Sequence, residues 1–141
     1  MVSTKFFAPF MTLVFLMSPS SVAQEDVERE LHSDKARVRL TDFDYTGQIK
    51  LCLRTHMIRD VDVLDDWTLL IEMTGKKYYV NHLTHRCPGL GFEERFSYTL
   101  RGLSQLCSTD IITVLHTDLR PGASCGLSEF EELKKKPGPE Q

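Results

Sequence analysis

The segment WTLLIEMTGKKYYVNHL, residues 67–83, decides the fold. Its first part, WTLLIEM, is an apolar run rich in residues that favour strands. Thr74-Gly75-Lys76 then has the composition of a tight turn, and residues 77–83 follow as a second strand-forming run. The sequence therefore predicts a β-hairpin here.

Further short strands are predicted on both sides of this hairpin. Ile49, Leu51 and Leu53 alternate with polar residues, which is the two-residue period of a half-buried strand. Val61 and Val63 alternate in the same way. Three later strands are predicted over residues 95–100, 110–116 and 125–131. Short strands separated by turns predict a mainly β fold with little helix, a small antiparallel barrel or sandwich of about five to seven strands.

Residues 1–23 have the parts of a cleavable secretory signal peptide. Lys5 supplies a positive charge, and the apolar stretch FFAPFMTLVFLM at residues 6–17 is too short to span a bilayer. Small residues precede the predicted cleavage site after Ala23. We therefore predict that the mature chain is exported, to the periplasm or outside the cell, with no membrane span after cleavage.

The rest of the chain is predicted to hold one domain between two polar segments. Residues 24–46 form a charged lead-in that we expect to be partly flexible or loosely helical. Val27, Leu31 and Val38 could share one face of a short helix there, but three apolar residues cannot anchor it firmly. The β-rich domain is predicted over residues 47–131. Residues 132–141, a tail with lysines and prolines, are predicted to be disordered.

Charge and motifs exclude several classes of function. The net charge of the chain is −3, and removal of the signal with its single Lys5 makes the mature chain one unit more negative. A protein of this charge lacks the excess of lysine and arginine that nucleic-acid binding needs, so we expect no nucleic-acid partner. No P-loop, dinucleotide fingerprint or serine nucleophile motif is present, so the sequence indicates no cofactor.

Four cysteines lie in the predicted mature domain, at Cys52, Cys87, Cys107 and Cys125. Their spacing is too wide for zinc-binding or redox-active C-x-x-C pairs, so in an oxidising compartment they predict two disulfides. Four cysteines allow three pairings, and neither spacing nor loop entropy chooses among them. The favoured pairing joins Cys52 to Cys125 and Cys87 to Cys107, since it would tie the first predicted strand to the last. The alternative joins Cys52 to Cys87 and Cys107 to Cys125.

Two groups of polar residues could carry chemistry. His82, His85 and Cys87 form an H-x₂-H-x-C pattern, whose side chains can bind zinc or copper. A disulfide at Cys87 would leave the two histidines as ordinary surface groups. Asp65 and Asp66 are paired carboxylates of the kind used in acid–base catalysis, although a solvated turn is the favoured interpretation.

Two further features concern the neighbouring strands. Arg59 could pair with Asp65 or Asp66 across a hairpin, which would be a structural ion pair. Aromatic residues also alternate along the predicted strands, and those that face outwards could form a binding surface. The favoured interpretation places most of them in the core. They are Tyr78, Tyr79, Phe96 and Tyr98.

The order of the cysteines, with C-P-G-L at residues 87–90 and the aspartate pair, resembles a family of small exported bacterial proteins of unknown function. The resemblance covers about residues 47–131 and implies export and a compact, cysteine-bearing domain, but no activity. The motif residues that it marks as candidate functional positions are Arg59, Asp65, Asp66 and Asn81.

These observations favour a non-catalytic protein of the periplasm or cell envelope. Its partner would be another envelope protein or a small ligand, bound through the sheet or the loops. One alternative is a metal-binding protein that uses His82 and His85. The other is a hydrolase-like enzyme that uses Asp65, Asp66 and Arg59.

Overall fold

The structure, a computed structural model, describes residues 33–100 and 102–138. Residues 1–23, the predicted signal, and residues 24–32 of the predicted lead-in lie outside the described residues. Within the described ranges no helix is long and apolar enough to cross a membrane.

The helices are α1 (Asp34–Leu40) and α2 (Leu90–Glu93), with a 3₁₀ turn at Thr55–Met57. The strands are β1 (Phe43–Lys50), β2 (Cys52–Arg54), β3 (Ile58–Val63), β4 (Thr68–Met73), β5 (Lys77–His82), β6 (Phe96–Tyr98), β7 (Gln105–Cys107), β8 (Ile111–Leu115), β9 (Pro121–Gly126) and β10 (Phe130–Lys135).

The predicted hairpin is confirmed as β4 and β5. The two strands are antiparallel, and Met73 lies opposite Lys77 across the intervening turn. Gly75 in this turn has a φ of 80°, a backbone conformation that glycine adopts without steric cost. The hairpin lies inside a five-stranded antiparallel sheet of order β1-β10-β5-β4-β3. Both hairpin strands therefore have a hydrogen-bonded neighbour on each side.

The five-stranded sheet is covered on both faces. Leu69, Ile71 and Met73 of β4 point to one face, where they pack with residues of two small sheets, β2-β7 and β6-β8-β9. Leu70 of β4 and Val80 of β5 point to the other face and pack under α1. Because side chains alternate along a strand, burial on both faces explains why the β4 sequence is a nearly continuous apolar run.

Helix α1 is positioned by its cap and by two buried residues. The Ser33 side chain accepts a hydrogen bond from the Ala36 amide at 3.1 Å, which is the usual N-cap contact. Ala36 and Leu40 are buried against the sheet. The expected place of Val38 on an apolar face is wrong, because its side chain is 70% exposed, and the other two residues of that face, Val27 and Leu31, lie outside the described residues. The helix is turned so that its small residue, Ala36, allows close approach to the sheet.

The mainly β, antiparallel class with little helix and two disulfides is confirmed, but the sheets do not close into a barrel. The described residues form ten strands, more than the five to seven expected. One reason is that the alternating segment around Leu51 is two strands, since β1 pairs with β10 and β2 pairs with β7. Leu51 and Ile49 are exposed where the chain changes from one sheet to the other, and only Leu53 of the alternating set is buried.

The ordered domain extends beyond the predicted residues 47–131 at both ends. On the N-terminal side, α1 and the first half of β1 occupy residues that were expected to be a flexible lead-in. On the C-terminal side, β10 continues to Lys135 within the predicted disordered tail. Leu133 is buried under α1 and explains this extension, because one apolar anchor holds an otherwise charged strand end. Residues 139–141 lie outside the described part.

The disulfides join Cys52 to Cys107 and Cys87 to Cys125. Both the favoured pairing, Cys52–Cys125 with Cys87–Cys107, and its alternative are therefore wrong. The favoured pairing assumed that a disulfide ties the first strand to the last, whereas β1 and β10 are joined by backbone hydrogen bonds. The disulfides instead hold the small sheets: Cys52 lies opposite Cys107 in the β2–β7 ladder, and Cys125 of β9 reaches the loop before α2.

The two disulfides should differ in their rate of reduction. In the chain-entropy model each disulfide stabilises the folded state by about 4 kcal/mol. Their exposure differs, because Cys52 is exposed whereas Cys87 and Cys125 are at most 2% exposed. We expect a mild reductant under native conditions to open Cys52–Cys107 first, and Cys87–Cys125 only after denaturant is added. Alkylation with mass spectrometry of the peptides measures this order. Simultaneous labelling of all four thiols in native buffer would contradict it.

Candidate functional site

Asp65 and Asp66 form a turn that is bonded into the fold. Asp65 Oδ1 accepts a hydrogen bond from the Trp67 amide at 2.8 Å, the short-range contact by which aspartate stabilises a turn. Asp66 Oδ1 accepts from the Gly91 amide at 2.9 Å, and Asp66 Oδ2 lies 3.0 Å from Nη2 of Arg86. The expected solvated turn is thus largely buried, with Asp65 only 9% exposed.

The same turn holds the C-P-G-L segment against the end of the sheet. The Cys87 amide donates to the Asp66 carbonyl oxygen at 2.8 Å, and the Leu90 side chain is fully buried. A Cβ atom on Gly91 would lie 3.1 Å from the Asp65 backbone, which is too close for an undisturbed contact. We call Asp65, Asp66 and Gly91 the clamp, because together they hold this segment against the end of the sheet. This structural role accounts for aspartate and glycine at these positions without a catalytic function.

A cavity of about 510 Å³ lies beside the clamp and is lined by both aspartates, Lys35 and Arg86. Its charges are already paired. Lys35 Nζ donates to the Val63 carbonyl oxygen at 2.8 Å and lies 2.5 Å from Glu94 Oε1, while Arg86 binds Asp66. The buried Oδ2 of Asp65 has no hydrogen-bond partner among the described residues. What separates this cavity from a site for a charged ligand is that Lys35 and Arg86 in its lining are already paired with carboxylates.

Arg59 does not join the aspartates. Its Nη1 lies 3.7 Å from Glu72 Oε1 on the adjacent strand β4, and its side chain is 60% exposed. The expected pairing with Asp65 or Asp66 is therefore wrong. An exposed pair of this kind contributes at most about 1 kcal/mol to stability.

Asn81 is a structural residue at the end of β5. It is fully buried, and its Nδ2 donates to the Ser128 carbonyl oxygen at 2.6 Å and to the Glu129 carbonyl oxygen at 3.3 Å. Its Oδ1 accepts from the Ser128 amide at 3.2 Å. These bonds satisfy the backbone between β9 and β10, where no strand partner is available.

Replacement of Asn81 should therefore destabilise the fold. We expect Asn81→Leu, which keeps the volume but removes the amide, to lower the free energy of unfolding by about 3 kcal/mol, because backbone groups at residues 128 and 129 lose their partners. Urea denaturation with the disulfides intact measures the change. The control is Gln48→Leu at an exposed position of β1, expected to change stability by less than about 0.5 kcal/mol. Equal effects of the two variants would refute the structural role.

His82 and His85 are not part of a metal centre in the described residues. No group of three or more His, Cys, Asp and Glu side chains there could hold a metal ion. Cys87 is in a disulfide, and His85 is exposed with its Nε2 3.2 Å from the Thr84 hydroxyl. His82, at the end of β5, is partly buried. The H-x₂-H-x-C pattern thus places no metal-binding thiolate beside the histidines.

A second cavity lies on the face of the five-stranded sheet that the small sheets cover. It has a volume of about 260 Å³ and lies where β5 meets the β2–β7 sheet. We call it the Tyr79 pocket. Tyr79 in its wall is 1% exposed, and its hydroxyl has no hydrogen bond of ordinary geometry to any described residue. The other lining residues are Lys50, Cys52, Leu53, Arg54, Met57, Met73, Lys77 and Gln105.

The Tyr79 pocket is positively charged. Lys50 Nζ lies over the Tyr79 ring, 5.2 Å from its centroid. The Tyr79 hydroxyl is the main cause that raises the pKa of Lys50, whereas burial and the neighbouring Arg54 act in the opposite direction. Lys50, Arg54 and Lys77 have no carboxylate within 4.0 Å among the described residues, in contrast to Lys35 and Arg86. Among the described residues, the pocket therefore places cations without a carboxylate partner around a buried hydroxyl that interacts with Lys50 but has no hydrogen bond of ordinary geometry.

Sequence reasoning did not find this pocket. Lys77 and Tyr79 are two residues apart on one strand, so the pattern places them on one face. Lys50 and Arg54 lie on β1 and β2, and β1 is separated from β5 by β10, which nothing in the local pattern indicates. Of the alternating aromatics, Tyr79 is in the core, as favoured, and Tyr98 is 40% exposed.

Fold and pocket together define a small, disulfide-stabilised, mainly β domain with a basic pocket. No family model, curated protein or solved structure matches the chain. The resemblance to small exported bacterial proteins therefore stays a prediction.

The unpaired hydroxyl in the pocket should cost stability. A buried hydroxyl without a hydrogen bond is unfavourable, so we expect Tyr79→Phe to raise the free energy of unfolding by up to about 1 kcal/mol. The matched control is Tyr78→Phe on the opposite face of β5, where a partly exposed hydroxyl should change stability by less than about 0.5 kcal/mol. Urea denaturation measures both. A loss of more than about 1 kcal/mol in Tyr79→Phe would mean that the hydroxyl is bonded in the folded protein.

Proposed function

We propose that this chain is an exported, non-catalytic binding domain whose small ligand occupies the Tyr79 pocket. The observation that carries the proposal is the buried Tyr79 hydroxyl, which lines a cavity and interacts with the Lys50 ammonium but has no hydrogen bond of ordinary geometry to any described residue. Native proteins rarely leave a buried polar group unpaired, and such groups are often explained by a missing partner. A ligand with a hydrogen-bonding group supplies that partner.

The pocket has the mixed lining that small-molecule sites share. Leu53, Met57 and Met73 give an apolar wall, and Gln105 adds a second uncharged polar group. Small-molecule sites are mostly apolar with a few placed polar groups that fix orientation. Methionine adapts to ligand shape because its side chain is unbranched and polarizable. The lining therefore supports binding of a compact polar molecule.

Binding is favoured over catalysis by the state of the other candidates. Asp65 and Asp66 are bonded into the clamp, and Arg59 pairs with Glu72. A hydrolase built on these residues would need them to converge on one substrate position. They do not converge, so we assign them structural roles.

Export is the part of the proposal that rests on residues 1–23. The two disulfides support it, because disulfides persist in oxidising compartments such as the periplasm and the cell exterior. One of them, Cys52–Cys107, lies in the β2–β7 ladder beside the Tyr79 pocket, which fits a function outside the cytoplasm.

A fragment screen by two-dimensional ¹H–¹⁵N NMR tests the proposed binding site. The library holds neutral, anionic and cationic polar fragments. We expect hits to shift the amide signals of Lys50, Arg54, Lys77 and Gln105, and to lose at least about tenfold in affinity in Tyr79→Phe, because the variant lacks the hydroxyl. Tyr78→Phe serves as the control and should bind normally. Hits that map to other surfaces, or no hits at all, would overturn the proposal.

A further inference from the structure

The Tyr79 pocket adjoins a second group of lysines. A groove of about 380 Å³ at the end of the five-stranded sheet is lined by Lys76, Lys77, Lys134 and Lys135. We call it the lysine groove. The groove is also lined by Tyr78 and Leu133 of the face under α1, whereas Tyr79 and Met73 of the pocket belong to the opposite face of the sheet. Lys77 at the hairpin end lines both cavities, so a ligand that reaches both passes around this end of the sheet.

The cations of this region form no ion pair with any carboxylate in the part of the chain that the structure describes. None of the six basic residues that line the two cavities has a carboxylate within 4.0 Å among the described residues. Glu132 is the one carboxylate in the lining of either cavity. Its charge raises the pKa of Lys50, but less than the Tyr79 hydroxyl does. The six residues are Lys50, Arg54, Lys76, Lys77, Lys134 and Lys135.

This concentration of charge contrasts with the rest of the protein. The whole chain has a net charge of −3, and basic residues elsewhere, such as Arg39 and Arg59, lie beside carboxylates. Like charges held together repel each other and lower the stability of the fold. An anionic ligand removes this repulsion, and it gains charge-assisted hydrogen bonds from the lysine and arginine side chains.

We propose that the ligand is a soluble polyanion with at least two oxyanion groups, phosphates or carboxylates. One group enters the Tyr79 pocket, where Lys50, Arg54 and the Tyr79 hydroxyl bind it, and a second lies in the lysine groove. The Lys50 ammonium moves from the Tyr79 ring to the ligand, which its long, flexible side chain allows. The inference rests on the proposed function, since it names the ligand class of the same pocket.

Two linked contacts explain why the second group matters. Once one oxyanion occupies the pocket, the second is held near the groove at a high effective concentration, so it binds without the full entropic cost of association. Lys77 lines both cavities, so it is the cation that the two groups would share. Affinity should therefore rise steeply with the number of anionic groups and fall with ionic strength.

Isothermal titration calorimetry of the full mature chain tests the inference with inorganic phosphate and tripolyphosphate. We expect tripolyphosphate to bind at least about tenfold more tightly than phosphate at low salt, with the advantage reduced by added sodium chloride. Tricarballylate, which carries three carboxylates, tests the second source of oxyanions against succinate. Equal affinity for single-group and multiple-group anions would overturn the inference.

Charge variants locate the two contacts. Lys134→Met with Lys135→Met should reduce tripolyphosphate affinity to that of phosphate and leave phosphate binding unchanged. Lys50→Met with Arg54→Met should weaken both ligands by at least about tenfold.

The charge-matched control removes two cations away from both cavities. Arg95→Met with Arg120→Met should change affinity by less than about twofold, since neither residue lines the pocket or the groove. An equal loss in this control would show that only the overall charge matters, and would overturn the inference.

Two further outcomes separate this inference from the proposed function. If neutral fragments bind in the Tyr79 pocket and no anion does, the polyanion inference fails and the binding function stands. If neither class binds there, both fail. Vesicles of phosphatidylglycerol and phosphatidylcholine form a third arm: binding to vesicles without binding of tripolyphosphate would overturn a soluble ligand in favour of a membrane surface.

Discussion

Strand β4 has both faces buried, and the rest of the structure depends on that constraint. Leu69 and Ile71 face the small sheets while Leu70 faces α1, and each is at most 4% exposed. A strand that is apolar on both sides needs cover on both sides, because exposed apolar surface costs about 25 cal/mol per Å². Helix α1 supplies the cover on one face. The small sheets, held in place by both disulfides, supply it on the other.

The two ends of β4 differ in the charged residues that lie beside them. Asp65 and Asp66 precede the strand, and their hydrogen bonds fasten the C-P-G-L segment over that end. The turn around Gly75 follows the strand, and there Lys76 and Lys77 begin the basic region. Carboxylates are thus used to close one end, where they are bonded to backbone amides. At the other end, the cations have no carboxylate partner within 4.0 Å among the described residues, and this is the end at which we propose that an anion binds.

The sequence pattern predicts what depends on near neighbours. The β4–β5 hairpin, the mainly β class and the presence of two disulfides follow from alternation, turn residues and an even cysteine count. The disulfide pairing and the basic pocket depend on contacts between distant segments. β1 pairs with β10 across most of the chain, and this pairing brings Lys50 towards Tyr79. No local pattern encodes that pairing, since β1 is a largely exposed strand whose single buried residue is Phe43.

Tyr79 and Asn81 show that the unpaired hydroxyl is a local exception. They are two residues apart on β5, on the same face, and both are essentially buried. Every polar atom of the Asn81 side chain is used in bonds to the backbone of residues 128 and 129. Tyr79 has no such bond, although phenylalanine would fill the same space without the penalty of a buried hydroxyl. The contrast between the two side chains, one fully bonded to backbone and the other in contact with a flexible lysine, is the physical basis on which we propose a ligand for the hydroxyl.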